Sequence, residues 1–263
     1  MKYLILGPSV MGVYAILGYL KYTELGNIKE ISASSSGCLI AFFILLGYTI
    51  DDILDIFLTI PVCQYTQLKI KNLFKTYGLI CHENIKNFLK TFSKDVVSFE
   101  DLFKKSGIKF HVAAYCINLN KTVYFSVDTH PYMMVTDAIL MSISVPLLFG
   151  PVKYKNMHYI DGGTIEEIPF GPFMGKPIDD VFVIKIKKTI HISTFEIKNI
   201  KDYFICLMKN MIGNITVADK VLSKNTVIID LEDINIFDFK MSHDDIFRLF
   251  LRGQGLNHSG LTI

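Results

Sequence analysis

Three short segments of the sequence carry residue types that could perform chemistry, and the first, residues 33–37, reads Ala-Ser-Ser-Ser-Gly. Small residues flank Ser35 on both sides. A serine nucleophile on a strained strand-to-helix turn requires this, because bulky side chains would collide with the strand and helix packed around it. The N-terminus of the following helix would favour negative charge there. Serines also cap helices in such turns, and Ala33 replaces the first glycine of a G-x-S-x-G motif, so this segment alone leaves both roles open.

The second segment, residues 7–12, reads Gly-Pro-Ser-Val-Met-Gly and forms another predicted strand-to-helix turn. Backbone N–H groups in such a turn could form an oxyanion hole beside the serine that ends the adjacent strand. A plain turn between a strand and a helix is the alternative. A dinucleotide-binding loop is excluded, because no G-x-G-x-x-G pattern is present.

The third segment places Asp161 at the end of a predicted strand, directly before Gly162 and Gly163. An aspartate in this position could orient and deprotonate a serine hydroxyl that lies within hydrogen-bond reach. The alternative is an Asp-Gly hairpin turn, which needs the same residue types. The segment alone leaves both interpretations open.

Composition excludes two broad classes of protein. The chain has 263 residues, of which 51% are hydrophobic and 20% are charged, so intrinsic disorder is excluded. The 27 Lys and Arg residues against 25 Asp and Glu residues give a net charge of +2, which argues against a nucleic-acid partner. Five scattered cysteines without a CxxC spacing indicate buried thiols and neither a disulfide framework nor a zinc site. Without an internal repeat or a low-complexity linker, a single domain over residues 1–263 is predicted.

Residues 3–20 contain no charged side chain. An uncharged run of this length is long enough to form a membrane-spanning helix. The Gly-Pro-Ser sequence at residues 7–9 interrupts this run, however, and divides it into a short strand, a turn and a helix. No secretory signature accompanies it. We therefore predict a cytoplasmic protein, with peripheral contact to a membrane as an open alternative.

The order of elements predicts an α/β fold. A strand over residues 2–6, a helix over 13–24, a strand over 28–32 and a buried helix over 38–46 repeat one strand–turn–helix unit twice, as in a parallel, doubly wound sheet. Later helices are predicted at residues 51–58, 83–92, 102–105, 136–143, 199–212 and 244–252. Later strands are predicted at residues 109–117, 122–127, 152–154, 157–160, 180–186 and 226–230.

Taken together, the three segments resemble the patatin-like phospholipase family in their order and spacing. In that family a glycine-rich oxyanion loop follows the first strand, a G-x-S-x-G serine comes next, and an Asp-Gly-Gly or Asp-Gly-Ala aspartate arrives over a hundred residues later. Residues 137–152 resemble the family's segment leading into the aspartate, and residues 229–253 resemble its closing strand, loop and helix. The resemblance spans about residues 2–255.

This resemblance implies a fold, a chemistry and a set of site residues. The implied fold is a three-layer α/β/α sandwich around a mostly parallel central sheet. The implied chemistry is hydrolysis of phospholipid or other lipid acyl esters through an acyl-enzyme, without a cofactor or metal. Ser35 is implied as the nucleophile and Asp161 as its only base. Supporting positions are the backbone N–H groups of the oxyanion hole at Gly7, Ser9, Val10 and Ser36, and the motif glycines Gly37, Gly162 and Gly163.

The loop at residues 7–12 departs from the family pattern, which usually reads Gly-Gly-Gly-x-Arg/Lys-Gly. Pro8 and Ser9 replace two glycines, and Met11 stands at the basic position. Because proline has no N–H, a donor at that position is missing, which costs on the order of 3 kcal/mol of transition-state stabilisation. A second hypothesis therefore stays open: a catalytically impaired family member that binds lipid or a protein partner.

Histidines and lysines supply two further alternatives. A Ser-His-Asp triad is the rival mechanism, but no histidine lies in a late strand-end context, and we expect surface or structural roles for His82, His111, His130, His158, His191, His243 and His258. Recurring lysines predict solvated faces, or contact with an anionic membrane beside exposed aromatic residues. These lysines are Lys69, Lys71, Lys75, Lys185, Lys187, Lys188, Lys198 and Lys201.

Overall fold

The computed structural model describes residues 1–59, 76–94, 98–187, 203 and 224–258. Its strands are β1 (Tyr3–Leu6), β2 (Glu30–Ser34), β3 (Gly78–Ile80), β4 (Lys109–Cys116), β5 (Lys121–Phe125), β6 (Leu147–Phe149), β7 (Val152–Tyr154), β8 (Met157–Asp161), β9 (Val181–Lys187) and β10 (Thr226–Asp230). Its α-helices are α1 (Val13–Leu20), α2 (Ser36–Leu46), α3 (Ile50–Thr59), α4 (His82–Ser93), α5 (Phe99–Ser106), α6 (Val135–Ser142) and α7 (His243–His258).

One large sheet organises the molecule. Its strands run in the order β10, β9, β1, β2, β4, β8 and β7, and β5 also pairs with β4. The five strands from β10 to β4 are parallel to one another, whereas β5, β8 and β7 join through antiparallel pairs. A second sheet consists of β3 and β6 in parallel. The predicted α/β class with a mostly parallel sheet is confirmed.

Both faces of the sheet are covered at its centre. Leu4 and Leu6 of β1 belong to the main hydrophobic core with α1 and α2, whereas Ile5 points to the other face and packs with Phe173. This arrangement explains why β1 is a continuous apolar run, since alternate residues face two different apolar layers. The carboxyl ends of the central parallel strands then meet at one edge, which is where the segments with candidate chemistry lie.

Close helix packing fixes the position of α1. A side chain on Gly18 would lie 1.9 Å from the carbonyl oxygen of Phe250, and one on Gly253 would lie 1.9 Å from the carbonyl oxygen of Ala15. Reciprocal glycines therefore allow α1 and α7 to approach until their backbones touch. Because α1 continues directly from the loop at residues 7–12, α7 supports that loop through α1.

Most predicted elements are present, and their differences lie at the boundaries. The helix predicted over residues 13–24 ends at Leu20, the strand predicted over 28–32 begins and ends two residues later, and the helix predicted over 244–252 extends to His258. The helix predicted over 199–212 lies outside the described residues except for residue 203, which is helical, and the strands β3 and β6 were not predicted. Residues 3–20 divide into strand, turn and helix as expected, and no helix in the described part of the chain is long and apolar enough to cross a membrane.

Candidate active site

Ser35 occupies a strained turn between β2 and α2. Its backbone has φ 53° and ψ −133°, a conformation that residues other than glycine rarely adopt. Although Ser35 stands at the N-cap position of α2, its side chain makes no capping hydrogen bond. The helix-capping alternative is therefore wrong for this serine. The N-terminus of α2 points at this residue, so its dipole favours negative charge there.

The register of β4 brings Asp161 to the same edge of the sheet as Ser35. Residues 112 and 113 of β4 pair with both β2 and β5, so these two strands lie on opposite edges of β4. Residues 114–116 pair with both β5 and β8, which leaves the β2 edge for β8. Ser34 is opposite Ala113, and Asp161 is opposite Ala114. The ends of β2 and β8 therefore meet, with Ser35 and Asp161 at the junction.

The carbonyl group of Ala113 lies at the centre of this junction. Its oxygen accepts a hydrogen bond of 2.6 Å from the hydroxyl of Ser142, and the same Ser142 oxygen accepts the backbone N–H of Ser35 at 2.9 Å. Gly162 lies against the same carbonyl, since a Cβ on Gly162 would approach the Ala113 oxygen to 2.5 Å. This carbonyl group therefore contacts the turn after Asp161 directly and is linked to the backbone of Ser35 through the Ser142 hydroxyl.

Asp161 is almost completely buried, with 1% of its surface exposed. Its Oδ1 accepts the N–H of Gly163 at 2.6 Å, and its own N–H donates to the carbonyl oxygen of Ser144 at 2.9 Å. A short 3-10 helix, Gly162–Thr164, follows Asp161, so the alternative of an Asp-Gly hairpin turn is wrong. The buried carboxylate is thus oriented by the backbone of its own turn.

The loop at residues 7–12 contacts the turns that follow both Ser35 and Asp161. A Cβ on Gly37 would lie 2.5 Å from the Leu6 carbonyl oxygen, and a Cβ on Gly163 would lie 2.5 Å from the Pro8 side chain. Gly37 is therefore required by the close approach of the backbone, and Gly163 by the close approach of the Pro8 side chain. Ser9 is fully buried, and its hydroxyl lies 2.7 Å from the hydroxyl of Ser36. The three segments that could perform chemistry form one contiguous site.

Two of the four N–H groups predicted for the oxyanion hole already have acceptors. Gly7 donates to the carbonyl oxygen of Ile184 at 3.3 Å, and Ser9 donates to the Ser36 hydroxyl at 3.0 Å. The N–H groups of Val10 and Ser36 have no acceptor among the described residues, and Val10 has a positive φ of 50° that turns its peptide out of the regular path. Among the four predicted N–H groups, those of Val10 and Ser36 are therefore the two that have no acceptor in the described part of the chain.

An apolar cavity of about 170 Å³ lies beside Ser35, and Ser35 and Ser36 form part of its wall. Of its lining residues, only these two serines and Tyr14 carry polar side-chain atoms. The Tyr14 hydroxyl donates to the Phe57 carbonyl oxygen at 3.2 Å, and burial raises the pKa of Tyr14 to about 12, so it stays neutral. The remaining lining side chains are apolar, and they include Val10, Met11, Val13, Leu39, Phe57, Ile85, Phe88, Ile143, Val145, Leu148, Phe149, Phe237 and Phe239.

Cys38 lies in the core beneath the site, close to the start of α2. It is fully buried one turn after Ser35, and burial raises the pKa of its thiol, with a smaller contribution in the same direction from the negative charge of Asp161. Its Sγ lies 3.3 Å from the Ser142 hydroxyl. Cys38 is therefore an inert part of the core beneath the site. Cys116 is buried as predicted, whereas Cys81 is exposed, and Cys63 and Cys206 lie outside the described residues.

The histidines whose side chains are described make no hydrogen bond to Ser35. His82 lies 2.8 Å from the Ser144 hydroxyl, and His111 pairs with Glu30 at 2.9 Å. Burial lowers the pKa of both imidazoles, to about 4 for His82. Nothing in the described part of the chain therefore forms the rival Ser-His-Asp triad, while His191 and the side chain of His258 are outside it.

The two described lysines of the predicted basic face, Lys185 and Lys187, form ion pairs with carboxylates. Lys185 lies 3.5 Å from Glu167, and Lys187 lies 3.1 Å from Glu232 and 3.5 Å from Asp230. The other lysines of the predicted face lie outside the described residues. No group of three or more His, Cys, Asp or Glu side chains in the described segments is arranged to hold a metal ion.

Comparison with known proteins identifies the family. The model of the patatin-like phospholipase family matches residues 10–174, which is more than half of the chain and contains both Ser35 and Asp161. The chain belongs to the patatin-like phospholipase family. The resemblance inferred from the three segments is thereby confirmed, and the chain is a member of a lipid hydrolase family.

Two viral relatives are similar over different lengths. A protein of Invertebrate iridescent virus 6 named "Probable lipid hydrolase 463L" is 33% identical over 178 residues, which cover 62% of this chain and 59% of that protein. An uncharacterized protein of Acanthamoeba polyphaga mimivirus is 26% identical over 254 residues, which cover 87% of this chain and 82% of that protein. The match to the first relative thus spans less than two thirds of either protein.

Two solved structures share the fold of this patatin-like chain. VipD from Legionella pneumophila superimposes with a TM-score of 0.65 at 14% identity, covering 98% of this chain and 66% of VipD. ExoU, solved as a complex with SpcU from the type III secretion system of Pseudomonas aeruginosa, has a TM-score of 0.53 at 14% identity, covering 97% of this chain and 50% of that chain. At this identity the comparison establishes the α/β fold alone.

Sequence reasoning missed the groups that hold the site together. Ser142, Ser144 and His82 bond to the backbones or side chains around Ser35 and Asp161, and the cavity wall includes Phe237 and Phe239 from the loop before α7. The only available signal for the serines was their place in the segment that leads into the aspartate. Nothing in the sequence pattern singled out His82 from the other histidines.

Proposed function

We propose that this chain is a serine acyl hydrolase that cleaves phospholipid or other lipid acyl esters through a Ser35–Asp161 dyad. The observation that carries the proposal is the apolar cavity lined by Ser35, at the edge of the sheet where Asp161 ends β8. An acyl chain buried in that cavity gains about 0.8 kcal/mol per methylene, which would hold its ester carbonyl beside Ser35. Lipid esters reside in membranes, so we extend the proposal to action at a membrane surface.

The first half of the reaction follows from these positions. Asp161 accepts the proton of the Ser35 hydroxyl as Oγ attacks the acyl carbonyl carbon, and the carbonyl oxygen becomes an oxyanion. The N–H groups of Val10 and Ser36, together with the N-terminus of α2, would stabilise this charge. The alcohol of the lipid leaves with the proton from Asp161, and the acyl group stays on Ser35.

The second half repeats the same steps with water. Asp161 accepts a proton from a water molecule as its oxygen attacks the acyl-enzyme, the Ser35–acyl bond breaks, and Ser35 takes the proton back as the fatty acid leaves. The Ser35 hydroxyl makes no hydrogen bond within the described part of the chain. The hydrogen bond between a nucleophile and its base is often long without substrate and tightens only when substrate is bound. The proposal thus assigns both proton transfers to Asp161, and the stabilisation of the oxyanion to the two N–H donors and the N-terminus of α2.

The test is fatty-acid release from vesicles of zwitterionic or mixed anionic phospholipid, alongside reaction with a long-chain alkyl fluorophosphonate. We expect release of fatty acid and a single phosphonyl adduct that peptide mapping assigns to Ser35. A protein that neither releases fatty acid from any lipid tested nor forms the adduct would contradict the proposal.

A cavity-filling variant should separate substrates by acyl length. Leu39 lies on α2 and lines the cavity, so Leu39→Trp is expected to exclude two or more methylenes of a long acyl chain. At about 0.8 kcal/mol per methylene, the value of kcat/KM for a palmitoyl ester should fall about tenfold or more, while that for a butyryl ester changes less than about twofold. The measurement is kcat/KM on a series of esters that differ only in acyl length.

The matched control is Leu119→Trp, the same exchange at an exposed leucine in the turn between β4 and β5. It should leave the chain-length profile unchanged. If Leu39→Trp lowered the rate equally for butyryl and palmitoyl esters, the cavity would not be the acyl site.

A second candidate function is lipid binding without turnover. The observation that favours it is the loop at residues 7–12, where Pro8 lacks an N–H and the N–H groups of Gly7 and Ser9 are occupied. This reading predicts that the protein retains fatty acid or lysolipid on gel filtration but releases none from vesicles. Release of fatty acid above the level of the Ser35→Ala variant would exclude it.

A further inference from the structure

His82 is the first residue of α4, and its imidazole is half-buried against the segment after α6. Its Nε2 lies 2.8 Å from the Ser144 hydroxyl oxygen, and that hydroxyl donates its only proton to the Leu140 carbonyl oxygen at 2.5 Å. The Ser144 oxygen can therefore only accept from His82, so Nε2 carries a proton. Burial lowers the pKa of His82 to about 4, so this contact is made by a neutral imidazole.

The segment that His82 contacts holds the backbones of both dyad residues. The Ser144 carbonyl oxygen accepts the N–H of Asp161 at 2.9 Å. Two residues earlier, the Ser142 hydroxyl accepts the N–H of Ser35 at 2.9 Å. Three consecutive residues, 142–144, thus bridge the nucleophile turn and the aspartate, so a displacement of this segment would change the separation between them.

His82 also packs against the wall of the apolar cavity. Its ring lies over that of Phe149 with a centroid separation of 5.2 Å, and Phe149 belongs to β6, which pairs with β3 just before His82. The position therefore needs a flat ring against Phe149 and an N–H donor toward Ser144. Neutral histidine supplies both.

We propose that His82 is a positioning residue, which holds Ser144, and through it the backbone of Asp161, where the carboxylate can serve Ser35. This inference rests on the proposed serine hydrolase function. It assigns no proton transfer to His82, whose imidazole bonds to Ser144 and packs on Phe149 but does not line the cavity. The role is to fix a distance that proton transfer and nucleophilic attack both require.

The test compares His82→Phe, which keeps the ring and removes the donor, with His82→Gln, which keeps a donor. We expect His82→Phe to lower kcat about tenfold or more with KM within about twofold, because displacement of catalytic groups by fractions of an ångström slows the chemical step. Ser144→Ala should lower kcat similarly, and the double variant should be no slower than the slower single variant by more than about twofold. His82→Gln should recover most of the loss.

The matched control is His130→Phe, because His130 also contacts a hydroxyl, that of Thr129 at 3.0 Å, and packs on aromatic rings at Phe125 and Tyr154. It should keep kcat within about twofold. The rate of fluorophosphonate labelling of Ser35 provides a second readout that does not depend on the lipid chosen. Circular dichroism and the melting temperature establish that each variant is folded, and if His82→Phe does not fold, Ser144→Ala and His82→Gln decide the outcome.

Three results would overturn the inference. A folded His82→Phe protein with unchanged kcat and labelling rate would show that the contact does not position Asp161. Losses that multiply in the double variant would show that His82 and Ser144 act independently. A wild-type protein that neither hydrolyses esters nor labels at Ser35 would overturn the proposed function, and this inference with it. An active wild-type protein with unaffected His82 variants would overturn this inference alone.

Discussion

Replacing Ser35 by alanine is expected to lower fatty-acid release by about 10⁴-fold or more, because removal of the nucleophile from a serine hydrolase leaves only binding and oxyanion stabilisation. The variant should fold, since alanine also carries a Cβ and adds no strain at φ 53°. Asp161→Asn keeps the size of the side chain but cannot accept the serine proton, so its rate should fall by about 10³-fold. Both rates are measured as fatty acid released per mole of folded protein.

The controls are the same exchanges away from the site. Ser106→Ala removes a hydroxyl at the end of α5, and Asp128→Asn removes an exposed carboxylate paired with Lys109. Both should retain activity within about twofold. Retention of more than a tenth of the wild-type rate in Ser35→Ala would mean that another residue is the nucleophile. A Ser35→Ala–Asp161→Asn double variant should be no slower than Ser35→Ala alone, because the two residues act as a unit.

Replacing Gly37 by alanine should disrupt the site through the backbone alone. The new Cβ would lie 2.5 Å from the Leu6 carbonyl oxygen and 2.8 Å from that of Gly7, and neither can move without shifting β1. We expect α2 and the loop at residues 7–12 to separate, with a fall in kcat of about 100-fold. The free energy of unfolding should fall by about 1–3 kcal/mol, despite the better helix propensity of alanine.

Activity and urea unfolding of Gly37→Ala should be measured beside Gly26→Ala. A Cβ on Gly26 meets no atom within 4 Å, so this control isolates the effect of the glycine-to-alanine exchange itself. Its activity should be unchanged, and its stability should change by less than about 1 kcal/mol. Equal stability and activity of the two variants would mean that the close contact between α2 and β1 is not required.

Local features of the fold were predictable because neighbouring residues determine them. The sequence Ser-Phe-Glu-Asp at residues 98–101 predicts an N-cap, and Ser98 and Asp101 form a reciprocal capping box at the start of α5. Gly47, with φ 93°, ends α2 where the apolar run stops. The strand pair joined at Lys155-Asn156 is also present. That the chain is a single domain over residues 1–263 stays a prediction.

The three segments with candidate chemistry were each ambiguous in isolation and specific only in combination. Their residue types and order were enough to indicate the family, which the match over residues 10–174 confirms. The roles of Ser35 and Asp161 stay a proposal, but two local alternatives are resolved by structure. The Ser35 side chain makes no capping hydrogen bond to α2. Asp161 precedes a short 3-10 helix and does not form a hairpin turn.

Only the tertiary structure decided which groups meet. The junction of Ser35 with Asp161 depends on the register of β2 and β8 along β4, and the occupied N–H groups of Gly7 and Ser9 depend on β9 and on the Ser36 hydroxyl. The pairing of Lys185 with Glu167 and the contact of His82 with Ser144 arise in the same way. The sequence by itself determined turns, caps, apolar runs and the family, since these depend on adjacent residues. Hydrogen-bond partners and strand register depend on segments far apart in the chain, which only the folded molecule brings together.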